Sequence, residues 1–596
     1  MEKNIFLTGA ALLLLGAMSS CTLDSESITE KNSENFPQNK TDVEEALAGV
    51  YQNLNAAMAE DQNDVAMNFY FISTVAGDNC LGGGGSNDTR FQAEDLLMNN
   101  QKNMTELFWK YRYQGINRAN AFIESLQNVN LDETTKAQAL GEAKFLRGFY
   151  YYELASQYGS VPLLLTSAAP DSIAQPSAAK EWGQICQDLY DAAITMPATP
   201  KTDGHVDKYA AEGMLARAYL FYTGMYCNGE ELSDLVSTNY KRLTSMKLAD
   251  GKELDDAEVI SLLKDCIDHS GRSLVPDFRE LWAYTNKYTA KDYAPDKGLT
   301  WAEDDGKANS EVLFSIKFNK LVSNDSKSST GYANNICLYF GVRGNQPLVN
   351  TFPYGQGWGA GTVAPNFVTD WENAEPNDPR RDASIENFNT DKWKDKYAYG
   401  QWDYVQETGY YDKKLSPISC KTTRTSEGYT PCFEYEMYGQ DVWVNGPDVM
   451  AKGNIHDLVL LRLADVYLMY SELTGDATYM NKVRERTSLP DKPYTLQDLQ
   501  NERRWELCFE GTRWNDIRRW HIAAACLAKQ EGQPIYVSAK KGTNYAHGGG
   551  YAARYNATAG FFKIPENQMS LLSKYLKQNP GWDDASANYG GWGENK

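Results

Sequence analysis

Three glutamates, Glu502, Glu506 and Glu510, fall four residues apart in the run LQDLQNERRWELCFEGTRWNDIRRW from Leu496 to Trp520. At helical spacing their carboxylates line one stripe. Two carboxyls facing a sugar-sized cleft could hydrolyse a glycosidic bond, and Glu506, Glu510 and Asp516 are the candidates for such a pair. Their neighbours argue against that chemistry. Arg503, Arg504, Arg513, Arg518 and Arg519 put a guanidinium within a helical turn of each acid. A cation that close lowers a carboxyl's pKa and removes the protonated form that a general acid requires. Trp505, Phe509, Trp514, Ile517 and Trp520 fill the gaps between the charges. Dense opposite charge among bulky rings predicts a buried ion-pair seam that fixes packing, with Trp505 and Phe509 as an i,i+4 pair. Gly511 is expected to end the helix after Glu510.

The chain around this stretch has 596 residues and a net charge of −21. That field repels polyanions, so nucleic acid is not an expected partner. The five histidines are scattered and no HExxH or paired CxxC occurs, so no zinc site and no cofactor are expected, while the acidic stretch Glu303-Asp304-Asp305 leaves calcium open. GGGG at 82–85 lacks the Lys-Ser/Thr and helix of a phosphate loop. Cys420 and Cys432 could bridge, but spacing alone leaves their pairing open. Aromatic residues reach 12%, with 38 Tyr and 14 Trp, which suits cores and sugar-binding surfaces alike.

At the start, Lys3 precedes the apolar run Ile5–Leu15, small residues follow, and then Cys21. This order predicts a signal peptide over residues 1–20, too short to span a membrane. Cys21 is the expected lipid-attachment residue. Residues 21–40 carry acids and little apolar content, as expected of a flexible tether.

Helical periodicity dominates the first half. Thr41 and Glu44 suggest a capping box opening a helix through Ala46, Val50 and Leu54. Further helices are expected over Met104–Leu126, Glu133–Tyr158, Ala179–Met196 and Lys208–Tyr226. Between the first two lies an excursion, residues 73–103, whose four consecutive glycines are expected to exclude a regular element. From 271 to 455 the periodicity fades into Gly-, Asn- and Trp-rich loops, apart from a short strand in EVLFSIKF, 311–318. Helices are expected again at His456–Leu473 and Met480–Leu489.

Five phrases occur in an order that resembles the SusD/RagB family: ALAGVYQNL, EAKFLRGFYYYELASQYGSVPLLL, HDLVLLRLADVYLMYSEL, ERRWELCFEGTRWNDIRRW and the closing FKIPENQ with KQNPGW. The match runs from Ala46 to Trp582 and is weakest in the middle third. The resemblance implies a mostly α fold, in which tetratricopeptide-like helix pairs form a right-handed superhelical scaffold with a long loop-rich insertion carrying short strands. It divides the mature chain into 41–270, 271–455 and 456–596, the outer two packing as one unit. It further implies a lipoprotein on the outer-membrane surface that binds an oligosaccharide and hands it to a SusC-like, TonB-dependent transporter.

In the family the ligand site is built from the early loop and the middle insertion. A sugar stacks its C–H face on an aromatic ring while carboxylates, amides and guanidinium groups bond its hydroxyls. Trp282, Tyr284, Trp301, Tyr332 and Trp358 are the candidate platforms here, with Trp358 favoured because glycines flank it. Asp78, Asn79, Asp88 and Arg90 are the candidate polar partners. The expected function is non-catalytic glycan capture. Two alternatives stay open: a surface glycoside hydrolase using Glu506 and Glu510, and a helical-repeat scaffold without a glycan ligand.

Overall fold

The computed structural model describes residues 36–59, 68–168, 173–318, 334–343, 348–425, 428–433 and 456–593. The signal peptide, most of the tether, Cys21 and Tyr332 lie outside the described residues. Eight helices of the first half pack largely in chain order. They are α1 (Lys40–Ala59), α2 (Phe69–Val75), α3 (Thr89–Asp95), α4 (Glu106–Leu126), α5 (Glu133–Tyr158), α6 (Ala178–Thr195), α7 (Lys208–Met225) and α8 (Asp256–His269). Helix α4 lies between α1 and α5, α6 between α5 and α7, and α7 touches α8. Small residues let these backbones close up. A Cβ on Gly115 would lie 2.6 Å from the Tyr150 ring, and one on Gly213 2.7 Å from Leu461. This is the tetratricopeptide-like arrangement of helix pairs.

The first helix starts one residue before the expected Thr41. Asn39 Oδ1 accepts from the Asp42 amide at 3.1 Å, while the Asp42 carboxylate accepts from the Gln38 amide at 3.0 Å. The reciprocal cap is therefore made by Asn39 and Asp42, not by Thr41 and Glu44. Asx side chains reach the first-turn amides as readily as Thr.

The middle region holds two helices that matter below, α9 (Asn335–Phe340) and α10 (Pro365–Ala374). The second half adds α11 (Leu463–Thr474), α12 (Thr478–Glu485), α13 (Leu496–Glu506), α14 (Arg513–Arg519) and α15 (Tyr551–Thr558). Four strands pair across the chain: β1 (Cys80–Gly83) with β3 (Ala360–Val363), and β2 (Val312–Ile316) with β4 (Leu458–Arg462), both antiparallel. The predicted helix from His456 therefore opens as a strand. LVLLR is too short an apolar run for period to decide, and pairing to β2 settles it. Glycines 82 and 83 sit in β1, against expectation. Residues at these positions must come close to other backbone: a Cβ on Gly82 would meet the Phe91 carbonyl at 2.5 Å. A further hairpin, Ser419–Thr425 with Gly428–Phe433, sets Cys420 opposite Cys432 in register.

The ion-pair seam is buried. Glu506 is fully buried and Glu510 is 7% exposed. Arg462, at the end of β4, reaches Glu506 and Glu510 at 2.6 Å each and Glu311 at 2.7 Å. Arg380 from the middle region joins Asp378, Glu502 and Glu506 at 2.5–2.9 Å, and Arg486 pairs with Glu311 and Glu506. Helix α13 ends at Glu506, four residues earlier than expected, for a related reason. The Glu506 carbonyl accepts from Lys414 Nζ at 3.0 Å and Arg462 Nη2 at 2.8 Å, so cations occupy the place of the next turn's amide. Phe509 (φ +65°) and Gly511 (φ +71°) then turn the chain in left-handed geometry. Trp505 and Phe509 do not stack directly but each packs on Phe367, with centroids 5.8 Å away.

Burial alone would raise the Glu506 carboxyl, yet Arg486, Arg462 and Arg380 hold it well below the usual carboxylate range. Burial is likewise outweighed at Glu510 by Arg462 and Lys414. A folded-state pKa below the unfolded value of about 4.3 gives stability that is full above that value and lost as pH falls through the folded pKa. Stability should therefore be flat above about pH 5 and fall below about pH 4. Removing one partner of a buried pair leaves the other uncompensated, so Arg462→Ala should cost about 3–5 kcal/mol at pH 7, with a smaller deficit at pH 3.5. Urea unfolding of both proteins at the two pH values checks this. A loss under about 1 kcal/mol would remove the seam from its structural position.

Candidate ligand pocket between the early loop and the middle region

The seam extends to the early loop. Asp78, 1% exposed, takes Arg513 Nε at 2.6 Å and Arg504 Nη2 at 2.9 Å. Asn79 Oδ1 accepts from Arg504 Nε at 2.8 Å, and Arg504 also holds Asp370 of α10 at 2.8 Å. Burial would raise the Asp78 carboxyl, but Arg504 and Arg513 hold it below the ordinary range. Two residues expected to bond a ligand thus anchor the loop instead. They are buried because two guanidinium groups satisfy them.

Beyond this anchor the chain runs along β1 into Gly84 and Gly85, the last two of four consecutive glycines, and then α3. Gly84 (φ +72°) sits where a Cβ would lie 2.7 Å from Asp88 Cβ and from the Phe91 ring, so only glycine fits without strain. Gln92 clamps the turn from below, donating to the Gly83 carbonyl at 2.9 Å and the Gly85 carbonyl at 3.0 Å. Gln92 Oε1 in turn accepts from the Tyr589 hydroxyl at 2.7 Å. The Asp88 carboxylate accepts from the Gly85 amide at 2.6 Å and from Arg343 Nη1 at 2.8 Å. The same Nη1 donates to the Trp358 carbonyl at 2.8 Å. Arg343 therefore staples the early loop to the segment carrying Trp358.

Between the stapled segments lies a cavity of about 320 Å³, lined by Asn87, Asp88, Thr89, Arg90, Phe91, Asn100, Gln101, Tyr339 and Trp358. Three of the residues singled out from sequence, Asp88, Arg90 and Trp358, come together here. Trp358 is half-buried, and its amide donates to the Leu338 carbonyl at 2.9 Å, seating it against the end of α9. Phe91 and Tyr339 meet edge to face, 5.5 Å apart, and form the apolar floor. Arg90 stands one turn from Glu94, a fully buried carboxyl that burial pushes well up and Arg90 pulls down. Aromatic floor and wall, with amide, hydroxyl, carboxylate and guanidinium groups around the rim, make a surface for a ligand that is apolar on one face and hydroxyl-rich at its edge.

The other candidate platforms are elsewhere. Trp282 (7% exposed), Tyr284 (0%) and Trp301 (6%) are interior residues, and their ring faces are covered by protein. Lys414 sits over Trp282 at 4.6 Å, and the Tyr284 hydroxyl donates to the Ala383 carbonyl. Packing, rather than display, places these three, because burying a large ring removes more apolar area from water than any other side chain can. Tyr339, Phe91, Arg343 and the amides Asn87, Asn100 and Gln101 were missed. The polar run Ser86–Arg90 was a local signal for part of this group, whereas Tyr339 and Arg343 gave none. At the seam, Glu506 and Glu510 face guanidinium groups and not a cleft, so this pair lacks the protonated carboxyl for glycosidic cleavage. Among the described residues no group of three or more His, Cys, Asp or Glu side chains is placed to hold a metal ion.

Stacked helix pairs carrying a loop-built, aromatic-floored polar pocket define a ligand-binding protein on a repeat scaffold. A family model described as "SusD family" matches residues 310–582, and one described as "Starch-binding associating with outer membrane" matches residues 23–220. The chain belongs to the SusD/RagB family. SusD-like protein P2 of Formosa agariphila is 23% identical over 534 residues, which is 85% of this chain and 89% of that protein. SusD-like protein P38 of the same organism is 24% identical over 568 residues, 89% and 94% of the two chains. A solved laminarin-binding SusD-like protein superposes with a TM-score of 0.65 at 23% identity, covering 91% of this chain and all of that one. Surface glycan-binding protein A from Bacteroides thetaiotaomicron, solved with laminarihexaose, gives 0.62 at 18% identity, covering 91% and 100%. These structures share the fold.

Gly84→Ala tests the turn that presents Asp88. Its Cβ would collide with Asp88 and Phe91 in a left-handed backbone, so a cost of about 1–3 kcal/mol is expected, confined to the early loop. Hydrogen exchange should show faster amides over residues 83–92 and unchanged protection in α5. Uniform protection throughout would mean that the turn is not strained by a side chain.

Proposed function

We propose that the protein is a non-catalytic glycan-binding lipoprotein of the outer-membrane surface. It captures an oligosaccharide in the pocket between Asp88, Arg90 and Trp358 and passes it to a SusC-like, TonB-dependent transporter. The observation that carries the binding reading is the convergence of Asp88, Arg90 and Trp358 on one cavity, with Phe91 and Tyr339 as its floor. A sugar ring would rest its C–H face on Trp358 or on that floor, while Arg90, Asn87 and Gln101 bond its hydroxyls. The glycan bound by relatives, laminarin in one case and laminarihexaose in another, makes a β-glucan the first ligand to try. The family description names association with the outer membrane, and Cys21 is the residue that would carry the lipid. Handing the ligand to a transporter rests on the family resemblance, and the helical face is the natural dock for that partner.

Titration calorimetry of the soluble chain from residue 22 with laminarihexaose and maltohexaose tests the reading. Binding should weaken by about 2 kcal/mol or more in Trp358→Ala, and by about 1–2 kcal/mol in Arg90→Ala, with both variants still folded at the temperature of the titration. Trp282→Ala should unfold the protein at lower temperature without a separate effect on affinity. Equal affinity in wild type and Trp358→Ala would move the ligand elsewhere, and release of shorter sugars that Glu506→Gln abolishes would restore the hydrolase reading.

A further inference from the structure

A second cavity, of about 510 Å³, opens beside the seam, between the middle region and the turn after α12. Its apolar rim is Pro276, Phe278, Pro295 and Pro379; three proline rings have little freedom to lose on binding. Most charges on its wall are already matched. Arg279 pairs with Asp277 at 2.6 Å, while Arg380 and Arg486 are consumed by the seam. Two groups are not matched. Asp296 is 3% exposed, and its Oδ2 is buried with no hydrogen-bond partner among the described residues. Lys413 is 8% exposed, and its Nζ donates to the main-chain carbonyl of Asp382 at 3.0 Å, hanging 4.6 Å over the Tyr284 ring. Asp296 and Lys413 form no ion pair with each other or with another described side chain. Burial pushes the Asp296 carboxyl up and the Lys413 ammonium down, in each case against the attraction of opposite charges nearby.

Leaving a buried carboxylate oxygen and an ammonium group short of partners costs free energy, and a ligand can recover it. The ligand must accept from Lys413 and donate to Asp296 at once. A hydroxyl does both, and two hydroxyls on adjacent ring carbons can serve the two groups together. An anionic ligand would gain Lys413 but place its charge against Asp296 and Asp277. We propose that this cavity is a second binding site, for a neutral sugar unit, in which Asp296 accepts from and Lys413 donates to ring hydroxyls. An aromatic cluster lies between it and the first pocket. Tyr284 bonds the Ala383 carbonyl on the second cavity's wall, while Tyr404 bonds the Gly359 carbonyl beside Trp358.

Saturation-transfer NMR on the soluble chain from residue 22 tests this, with D-glucose, D-galactose, D-mannose, D-xylose and D-galacturonate as separate probes. The background is Trp358→Ala, which silences the first pocket and makes the result independent of it. At least one neutral sugar should bind in that background and bind about tenfold more weakly on adding Asp296→Asn or Lys413→Met. Asp296→Asn removes a desolvated charge, so the melting temperature should hold or rise. The proposal is overturned if no neutral sugar binds in the Trp358→Ala background, if galacturonate alone binds, or if Asp296→Asn lowers the melting temperature and leaves sugar binding as it was.

Discussion

Arg462 is the residue on which the rest of the architecture turns. It stands at the end of a strand from the second half, beside a strand from the middle region, and its guanidinium bonds three carboxylates and the terminal carbonyl of α13. Taking such charges out of water costs several kcal/mol per ion, and only near-complete hydrogen bonding repays it. The seam meets that condition by sharing: Glu506 serves three arginines, and Arg462 serves three glutamates. A network with one satisfying arrangement admits only one register among three parts of the chain that are far apart in sequence.

That register reaches the pocket by a short chain of bonds. Arg504 follows Arg503 on α13, and while Arg503 ties α13 to Asp465 and Asp516, Arg504 leaves the seam to hold Asp78, Asn79 and Asp370. Asp78 and Asn79 open onto β1, β1 pairs with β3, and Arg343 closes the far end by joining Asp88 to Trp358. A segment with four consecutive glycines, Gly82 to Gly85, would otherwise have large conformational entropy to lose on binding. Here it is ordered in advance at both ends, so a ligand meets groups already in place.

The sequence displayed the helices clearly, because their apolar spacing needs no partner to be read. It displayed the seam for the same reason: acids at intervals of four, with arginines and rings between them, leave few other uses. What stayed hidden was set by partners distant in the chain. LVLLR became a strand because Val312–Ile316 lies beside it. Two glycines became strand because Phe91 and Gly359 press on them. Helix α13 stopped early because Lys414 and Arg462 took its last carbonyl. Site residues divided the same way. Asp88, Arg90 and Trp358 could be picked from local composition, whereas the fate of Asp78 and Asn79 depended on two arginines more than 400 residues away.

The aromatic residues show why composition alone misleads about surfaces. A chain rich in Tyr and Trp suggests many platforms, yet the burial term for each ring is large and acts on all of them. Trp371 lies stacked on Trp505 at 5.0 Å, and Trp393 is 1% exposed with its indole N–H on Glu386. A ring stays at the surface only where the backbone beneath it cannot sink further. At Trp358 the neighbouring Gly357 and Gly359 are pressed against Gly341 and Tyr404 with no space for a side chain. Its amide and carbonyl are fixed to Leu338 and Arg343. The close packing beneath the segment is what leaves the indole half-buried at the edge of the core, so core density and ligand platform follow from one constraint.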